Sequence, residues 1–573
     1  MTGTGSTTLD PINTITAGDQ SPPKTVVLPD GRILHIWVDN ATWDNGSSME
    51  LQGRIFNADG TPATGQFSLN SFWAVDGWDA YDWDNLDVDV LQNGNVVLSY
   101  VRNTSDGTDE PVFGIINPTV APGSAGFIVT QNVEIQASDT TLYESPPVTT
   151  VLANGNILFV WSKNGTSDDI AGISLRARIF DQNGNPVTGE FSAGGWEVDG
   201  SDGYDVANMT VTKLSNGNVV IGYVRSSQAL GFYTDEPVYT VMSQSGTIIA
   251  QNVEMQQTDT GGVESPPVIT ALDGGKWMAV WSKEGLSDDN AAMTLQGRIF
   301  NADGTPASNE FRIGNTAVDG SDFYDTNNMT VTTLPGGRVV VGYVETNATD
   351  CTDYPTFTVI DTTKLPGQAG FTVVSDVQIN SLSTPNHPWA GPPVITALGT
   401  SGNFVAVWGD GQAASIELKY RVFDANGNGL SPEMVLTLPD NSGLSNIDAF
   451  DWDNVNVVYN ATNDSFTVSW AGYYDGSGTG VFSSGPISAS NPTGGFVLSD
   501  VVDGTAGADS IGAGYVDAQG DSIDGADGTD DVVKGGAGND TINGVNGADT
   551  VMGEAGDDRL ILNDIQPGTT AVG

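Results

Sequence analysis

Along most of this chain, apolar and polar residues alternate in short runs of four to eight residues, and clusters of Asn, Asp, Gly and Pro separate the runs. A period of two is the signature of a half-buried β-strand, and a helical period appears nowhere. In the opening stretch the pattern predicts strands at 25–28, 33–38, 51–57 and 65–70, joined by hairpin turns such as PDG and NADG.

The pattern then repeats. One class of unit reads SPPKTVVLPDGRILHIW (21–37), SPPVTTVLANGNILFVW (145–161), SPPVITALDGGKWMAVW (265–281) and GPPVITALGTSGNFVAVW (391–408). A second class alternates with it, as in DAYDWDNLDVDVLQNGNVVLSY (79–100), with later copies at 202–223, 322–343 and 448–470. Unit starts at 21, 79, 145, 202, 265, 322, 391 and 448 mark one supersecondary unit used eight times. Four antiparallel strands per roughly sixty residues is the grain of a β-propeller blade, and closure of eight blades into a ring removes the sheet edges an open array would expose. The expectation is an all-β chain built on an eight-bladed β-propeller over residues 1–502. Seven blades plus an irregular sheet, two smaller propellers, or a row of sandwiches fit the same pattern. The opening LDPINTIT and the later GFVLSDVV both look like the last strand of a blade, so either could close the ring.

A different period takes over near the C-terminus. Residues 535–543 (GGAGNDTIN), 544–552 (GVNGADTVM) and 553–561 (GEAGDDRLI) each carry Gly at positions one and four, Asp at six and an apolar residue at eight. Gly535, Gly538, Gly544, Gly547, Gly553 and Gly556 permit tight turns with inward carbonyls. Asp540, Asp549 and Asp558 supply hard anionic oxygens that suit Ca²⁺. Ile542, Val551 and Leu560 should form a thin apolar ladder behind the turns. Degenerate turns at 504–511 and 526–533 add Asp509 and Asp530. The arrangement predicts a short parallel β-roll over residues 503–573, with Ca²⁺ as its cofactor.

These nonapeptides resemble the RTX, or haemolysin-type, calcium-binding repeats of bacterial secreted proteins. The resemblance implies a chain that folds with calcium outside the cell and leaves it through a type I secretion system reading an uncleaved C-terminal signal. The first-class units (AGDQSPPKTVVLPDGRILHIW, then RIFNADGTPATGQF) also resemble a repeat of large bacterial calcium-binding exoproteins, which supports a secreted architecture more than any reaction.

Composition narrows the partners. Nineteen Lys and Arg face 71 Asp and Glu, a formal charge of -52, which repels nucleic acid and anionic lipid and attracts divalent cations. The lone Cys351 excludes an internal disulfide and a CxxC metal site. The start MTGTGSTTLD has neither a basic n-region nor an apolar h-region, and no stretch is long and apolar enough to span a membrane.

Within the repeats, the loop that opens each second-class unit carries DxYDxxN, with Phe450 in place of the Tyr in the last copy: Asp79, Asp82 and Asn85; Asp202, Asp205 and Asn208; Asp322, Asp325 and Asn328; Asp448, Asp451 and Asn454. Two carboxylates and an amide suit Ca²⁺, and the same residues equally suit Asx-turns that shape the start of a blade. A second acidic stretch, TDEP or TDYP (234–237, 352–355, and within 104–111), is expected as a loop on the same face. Arg54, Arg178, Arg298 and Arg421 are expected to pair with carboxylates of a neighbouring blade. Trp37, Trp161, Trp281 and Trp408 should pack between blades, whereas Trp43, Trp73, Trp78 and Trp83 fall outside the repeat and could stack on sugars. Only His35 and His387 exist, and HExxH and nucleotide-binding glycine motifs are missing, so little supports catalysis.

The resulting expectation is a secreted or cell-surface calcium-binding protein that acts as a non-enzymatic binding or adhesion module toward extracellular polysaccharide or envelope components. An extracellular glycan hydrolase using carboxylates at the propeller mouth, and a self-assembling surface-layer or matrix component, are the alternatives.

Overall fold

The alternating runs fold as strands at the places their period marks. The computed structural model describes residues 12–14, 19–41, 49–69, 75, 86–103, 109–137, 143–165, 174–194, 209–229, 232–257, 264–283, 293–318, 329–347, 352–380, 389–412, 415–436, 455–473, 479–490, 492, 501–503, 507–512, 515, 532–535, 538–544, 550–553, 556–562 and 570–572. Among these there is no α-helix. Contacts divide the chain into two compact units, one of Pro11–Glu433 and Pro439–Ser490, the other of Met1–Asp10, Met434–Leu438 and Asn491–Gly573.

The larger unit is an eight-bladed β-propeller of four-stranded antiparallel blades. The first blade comprises Lys24–Val27, Ile33–Ala41, Glu50–Phe56 and Phe67–Ser68. The second comprises Leu86–Val90, Val96–Asn103, Asp109–Ile116 and Ile128–Glu134. Each hairpin between the first two strands of blades one to four turns on an Asx residue. Side-chain oxygens of Asp30, Asn93, Asn154 and Asn216 accept the N–H two residues on, and Gly31, Gly94, Gly155 and Gly217 sit between at φ of 84°, 83°, 86° and 88°.

The innermost strands follow one another around the axis: Lys24–Val27, Leu86–Val90, Val148–Val151, Thr210–Lys213, Val268–Ala271, Met329–Leu334, Val394–Leu398 and Val455–Asn460. Each touches the next, and the last touches the first, so the ring is closed. Free inner edges are blunted by side chains from the preceding blade. Asp87 Oδ2 accepts the N–H of Thr149 at 2.7 Å and Asp89 Oδ2 that of Val151 at 3.2 Å; burial raises both carboxyls above their ordinary range. At two other junctions hydroxyls do the same for carbonyls, with Thr210 and Thr212 donating to Pro267 and Ile269, and Thr330 and Thr332 to Pro393 and Ile395.

The apolar core is a series of slabs between blades. Leu91, Val97, Phe113 and Ile115 of blade two meet Phe159, Trp161 and Phe180 of blade three, and Trp281 and Trp408 lie in the matching slabs further round. Trp37, Trp161, Trp281 and Trp408 are all fully buried. One contact in these slabs changes chemistry between junctions. Thr25 meets Ser469 and Thr149 meets Ser99 through hydroxyl pairs at 2.6 Å, whereas Ile269 and Ile395 fill the same place against Gly222 and Gly342.

Closure is made by the N-terminal segment. Ile12 N–H donates to the Val481 carbonyl at 2.6 Å, as Ile135, Met255 and Ile379 donate to Pro111, Pro237 and Pro355 at 2.9 Å in blades two, four and six. Asn13 Oδ1 also accepts the Val481 N–H at 3.0 Å. Of the rival segment, residues 495–500 lie outside the described residues, and Val501–Asp503 pairs in parallel with Val532–Lys534.

Two expectations about polar residues are corrected. The TDEP and TDYP stretches at 234–237 and 352–355 are strand, not loop, lying within Phe232–Met242 and Thr352–Asp361. Of the stretch 104–111 only 109–111 are described, and they are strand too, within Asp109–Ile116. Glu110 and Glu236 pair with Arg102 and Arg225 one strand away. The carbonyls of Pro111, Pro237 and Pro355 receive the N–H of the segment leading to the next blade. Arg54, Arg178, Arg298 and Arg421 hold backbone carbonyls rather than carboxylates. Their Nη1 groups donate to Ile12, Ile135, Met255 and Ile379, their Nε groups to Thr64, Thr188, Ser308 and Ser431, and each lies over the Phe two residues on. The same leading segments are gripped by Gln66, Glu190 and Glu310, which accept the N–H groups of Thr14, Ala137 and Gln257.

Candidate metal centre

The smaller unit contains the nine-residue turns. Its strands form two parallel sheets, Val501–Asp503, Val532–Lys534, Thr550–Met552 and Thr570–Val572 in one, Ser510–Ile511, Thr541–Gly544 and Arg559–Leu562 in the other. Val533 lies beside Val551, and Ile542 beside Leu560, so one full coil takes two nonapeptides and successive repeats alternate between sheets. The expected single apolar ladder is therefore two that face each other: Ile511, Ile542 and Leu560 against Val533 and Val551. Such a core is one side chain thick. It buries too little apolar surface to offset the ordering of a coil this rich in Gly and Asp, so another source of cohesion is required.

The aspartates are stacked along one side. Asp540 Oδ1 accepts the Asp509 N–H at 2.8 Å, and Asp558 Oδ1 accepts the Asp540 N–H at 2.9 Å, so each carboxylate ties its own turn to the one stacked before it. Asn539 Oδ1 accepts the Asp557 N–H in parallel, at 3.0 Å. Only one oxygen of each carboxylate is used this way. Asp540 is 1 % exposed, yet its Oδ2 and that of Asp558 have no hydrogen-bond partner. A buried anionic oxygen without a partner is costly, and a divalent cation is the group that relieves it.

The glycines make room for those oxygens. A Cβ on Gly535 would stand 2.6 Å from Asp540 Oδ2 and 2.6 Å from the Gly553 carbonyl, and one on Gly553 would collide with Asp558 Oδ2. Gly538 and Gly556 have φ of 133° and 155°, in the region that favours glycine. Inward carbonyls and carboxylates of this kind are the donor set a hard cation takes, and on these observations the residues fit Ca²⁺. Among the described residues no three His, Cys, Asp or Glu side chains converge on one point, so backbone carbonyls have to complete any coordination.

Of the remaining residues singled out in the sequence, Gly544 ends the strand Thr541–Gly544 and Asp509 stands on the degenerate turn that stacks on Asp540. Gly547, Asp549 and Asp530 lie outside the described residues. So do all twelve DxYDxxN residues (Asp79, Asp82, Asn85, Asp202, Asp205, Asn208, Asp322, Asp325, Asn328, Asp448, Asp451, Asn454), the four unrepeated tryptophans, Cys351 and His387. His35 is buried at the seam between blades one and eight, with Nδ1 2.8 Å from Thr25 Oγ1; desolvation, with a smaller push from Arg54, lowers its pKa to about 3. It is a neutral packing residue.

Comparison with known proteins agrees with the nine-residue geometry. Residues 525–560 match the RTX calcium-binding nonapeptide repeat in four copies. The C-terminal part of the chain thus carries RTX repeats, which bind calcium and are typical of secreted proteins. No curated protein matches the sequence. Among solved structures, the chain is similar to an alpha-L-arabinanase of Penicillium chrysogenum complexed with arabinobiose, at 14 % identity and a TM-score of 0.36, over 61 % of this chain and 99 % of that one. It is also similar to the polysaccharide lyase Uly1, at 10 % identity and a TM-score of 0.40, over 71 % and 90 %. A protein of unknown function from Dyadobacter fermentans matches at 13 % identity and a TM-score of 0.32, over 58 % and 93 %. Among the described residues no helix is long and apolar enough to cross a membrane.

Proposed function

We propose that this chain is a secreted or cell-surface calcium-binding protein, exported by a type I system, whose β-roll is held together by Ca²⁺ and whose propeller is a rigid, non-enzymatic binding module. The unpartnered Oδ2 atoms of Asp540 and Asp558 inside the roll are the observation that carries the reading. Asp540, Asp558 and Asp509, with the carbonyls of turns built on Gly535, Gly538, Gly553 and Gly556, hold calcium on one side. Asp549 and Asp530, with Gly544 and Gly547, stand at the matching positions of the alternate repeats in the sequence and are assigned to calcium with them.

The partner that suits an acidic disc in a calcium-containing medium is a neutral or cation-bridged glycan of the extracellular matrix or envelope, since nucleic acid and bare anionic lipid are repelled. Calorimetric titration of the chelated full chain with Ca²⁺, followed by far-ultraviolet dichroism, tests the calcium site. Saturable binding with a gain in β-structure is expected, at the 10⁻⁴ to 10⁻³ M order of extracellular modules. An unchanged spectrum and no binding heat up to millimolar calcium would overturn the assignment. A glycan array probed with and without calcium tests the partner. Release of reducing sugar from any bound glycan would replace the binding module by a hydrolase.

A further inference from the structure

Three blades end in a seven-residue outer strand, and the chain breaks each of these strands in the same way. The strands are Ile128–Glu134 in blade two, Ile248–Glu254 in blade four and Thr372–Gln378 in blade six, whereas blades one and three end on two residues each, Phe67–Ser68 and Phe191–Ser192. Among the described residues each long strand pairs with a single neighbour, so its outer edge presents a row of ladder groups to any strand that arrives. Apolar side chains add to the hazard, with Val129 40 % exposed, Ile249 46 % and Val253 36 %.

The pairing inside these blades is irregular at matching places. Tyr239 faces Val253 and Val241 faces Ala250, so Gln251 and Asn252 together stand opposite Thr240; Met242 then faces Ile248, and Ile249 is left over. The same two steps recur in blade two around Asn132 and Val129, and in blade six around Asp376 and Val373. Asn132, Asn252 and Asp376 have φ of 56°, 55° and 53°. A glycine takes that conformation without steric cost, whereas an Asx residue takes it while offering a side-chain oxygen. A buried tyrosine uses that oxygen: Tyr223 donates to Asn252 Oδ1, and Tyr343 to Asp376 Oδ1 at 2.8 Å. Thr358 Oγ1 lies 2.9 Å from the Tyr343 hydroxyl and accepts the Asp376 N–H at 3.2 Å. Tyr100 stands at the same place of the repeat in blade two and is buried. Blade five, whose outer strand Phe311–Val318 is also long, loses register between Ile313 and Val318, with Gly314 at φ 70°.

We propose that the tyrosine-pinned bulges at Asn132, Asn252 and Asp376 keep the rims of blades two, four and six from pairing edge to edge with a second copy of this chain. Strand addition needs a run of regularly spaced ladder groups, and two irregularities within seven residues leave at most two successive residues in register. The tyrosine bond serves the inside of the blade in either case; a guarded edge differs in what it does between molecules.

The test uses the full chain in saturating calcium and three variants of blade four. Asn252→Val brings in a β-branched side chain that resists positive φ, Asn252→Gly keeps that conformation, and Asn252→Val combined with Ile249→Lys places a charge on the exposed edge. Analytical sedimentation over a range of protein concentrations reads the outcome. Asn252→Val is expected to associate, its weight-average mass rising with concentration to about twice the parent's, as a two-fold pair requires. Asn252→Gly is expected to match the parent, and the added lysine to reverse the association. Three results would each overturn the inference: no association of Asn252→Val, equal association of Asn252→Gly, or association that the lysine leaves in place, which marks general unfolding rather than an opened edge.

Discussion

Replacing Gly342 by Ser places the chemistry of one blade junction into another. At the seams of blades eight and one, and of blades two and three, the second strand of one blade offers a serine to a threonine on the innermost strand of the next, at 2.6 Å. At the seam of blades six and seven the pair is Gly342 and Ile395. A Cβ on Gly342 would stand 2.7 Å from Ile395 Cδ1, 2.8 Å from Thr330 Oγ1 and 3.0 Å from Pro393 Cγ. The isoleucine tip could swing away, but the proline ring cannot, so overpacking of about 1–3 kcal/mol is expected for Gly342→Ser. Ile395→Thr alone removes apolar volume and buries a hydroxyl without its serine partner, at a similar cost. Together they recreate the hydroxyl pair, so the double variant should recover at least about 1 kcal/mol relative to the sum. Urea unfolding followed by tryptophan fluorescence in saturating calcium, run as a double-mutant cycle, measures this coupling. Strictly additive losses would refute the reasoning that the two residue pairs are alternative solutions to one packing problem.

Three further outcomes are expected. Gly553→Ala puts a methyl group against Asp558 Oδ2 and should weaken calcium binding by at least about tenfold in a titration, while Gly65→Ala, where a Cβ meets nothing within 4 Å, should leave it unchanged. Arg178→Ala removes donors to Ile135, Gln136 and Thr188 and should cost about 2–4 kcal/mol; because the acceptors are carbonyls, the loss should barely change between low and high salt, and a loss that vanishes in high salt would restore a carboxylate partner. His35 is neutral in the fold with its pKa lowered to about 3 from 6.5, so its effect is absent above pH 6.5. Below that the unfolded chain takes the proton first, and stability falls by about 1.4 kcal/mol per pH unit down to about pH 3. Phe159 occupies the corresponding place in blade three, so His35→Phe should flatten that slope in melts between pH 4 and 7, where a parallel slope in both proteins would clear the histidine of the effect.

Blade number, strand positions and the calcium turns were legible because each is a local signal repeated in register. The strands expected at 25–28 and 33–38 appear at Lys24–Val27 and Ile33–Ala41. Partners across blades were not legible, because they depend on which backbone groups a closed ring leaves open. An arginine in an acidic chain invites a carboxylate, yet Arg178 lies where a leading segment exposes the carbonyls of Ile135 and Gln136. The closing strand could not be chosen from pattern alone, since both candidate segments alternate alike. Counting back from the invariant step that follows the outer strand would have found it: Ile12-Asn13-Thr14 stands to Val481 as Ile135-Gln136-Ala137 stands to Pro111. The alternation of coils between two sheets was also hidden, because a nine-residue period does not say that two repeats make one turn of the roll.

The clasp at Ile12 sets the timetable of assembly. Asn13 meets Val481 across 468 positions and Thr25 meets Ser469 across 444, so the segment before blade one must wait for blade eight before it finds its place. Seven seams can zip up in sequence as neighbours are made, but the eighth is a long-distance rendezvous whose loop entropy is overcome only at the end. A fusion tag on the amino terminus would burden that final step, whereas a permuted chain, opened in the turn after Val151 and joined through its old ends, would turn the slow seam into a local one.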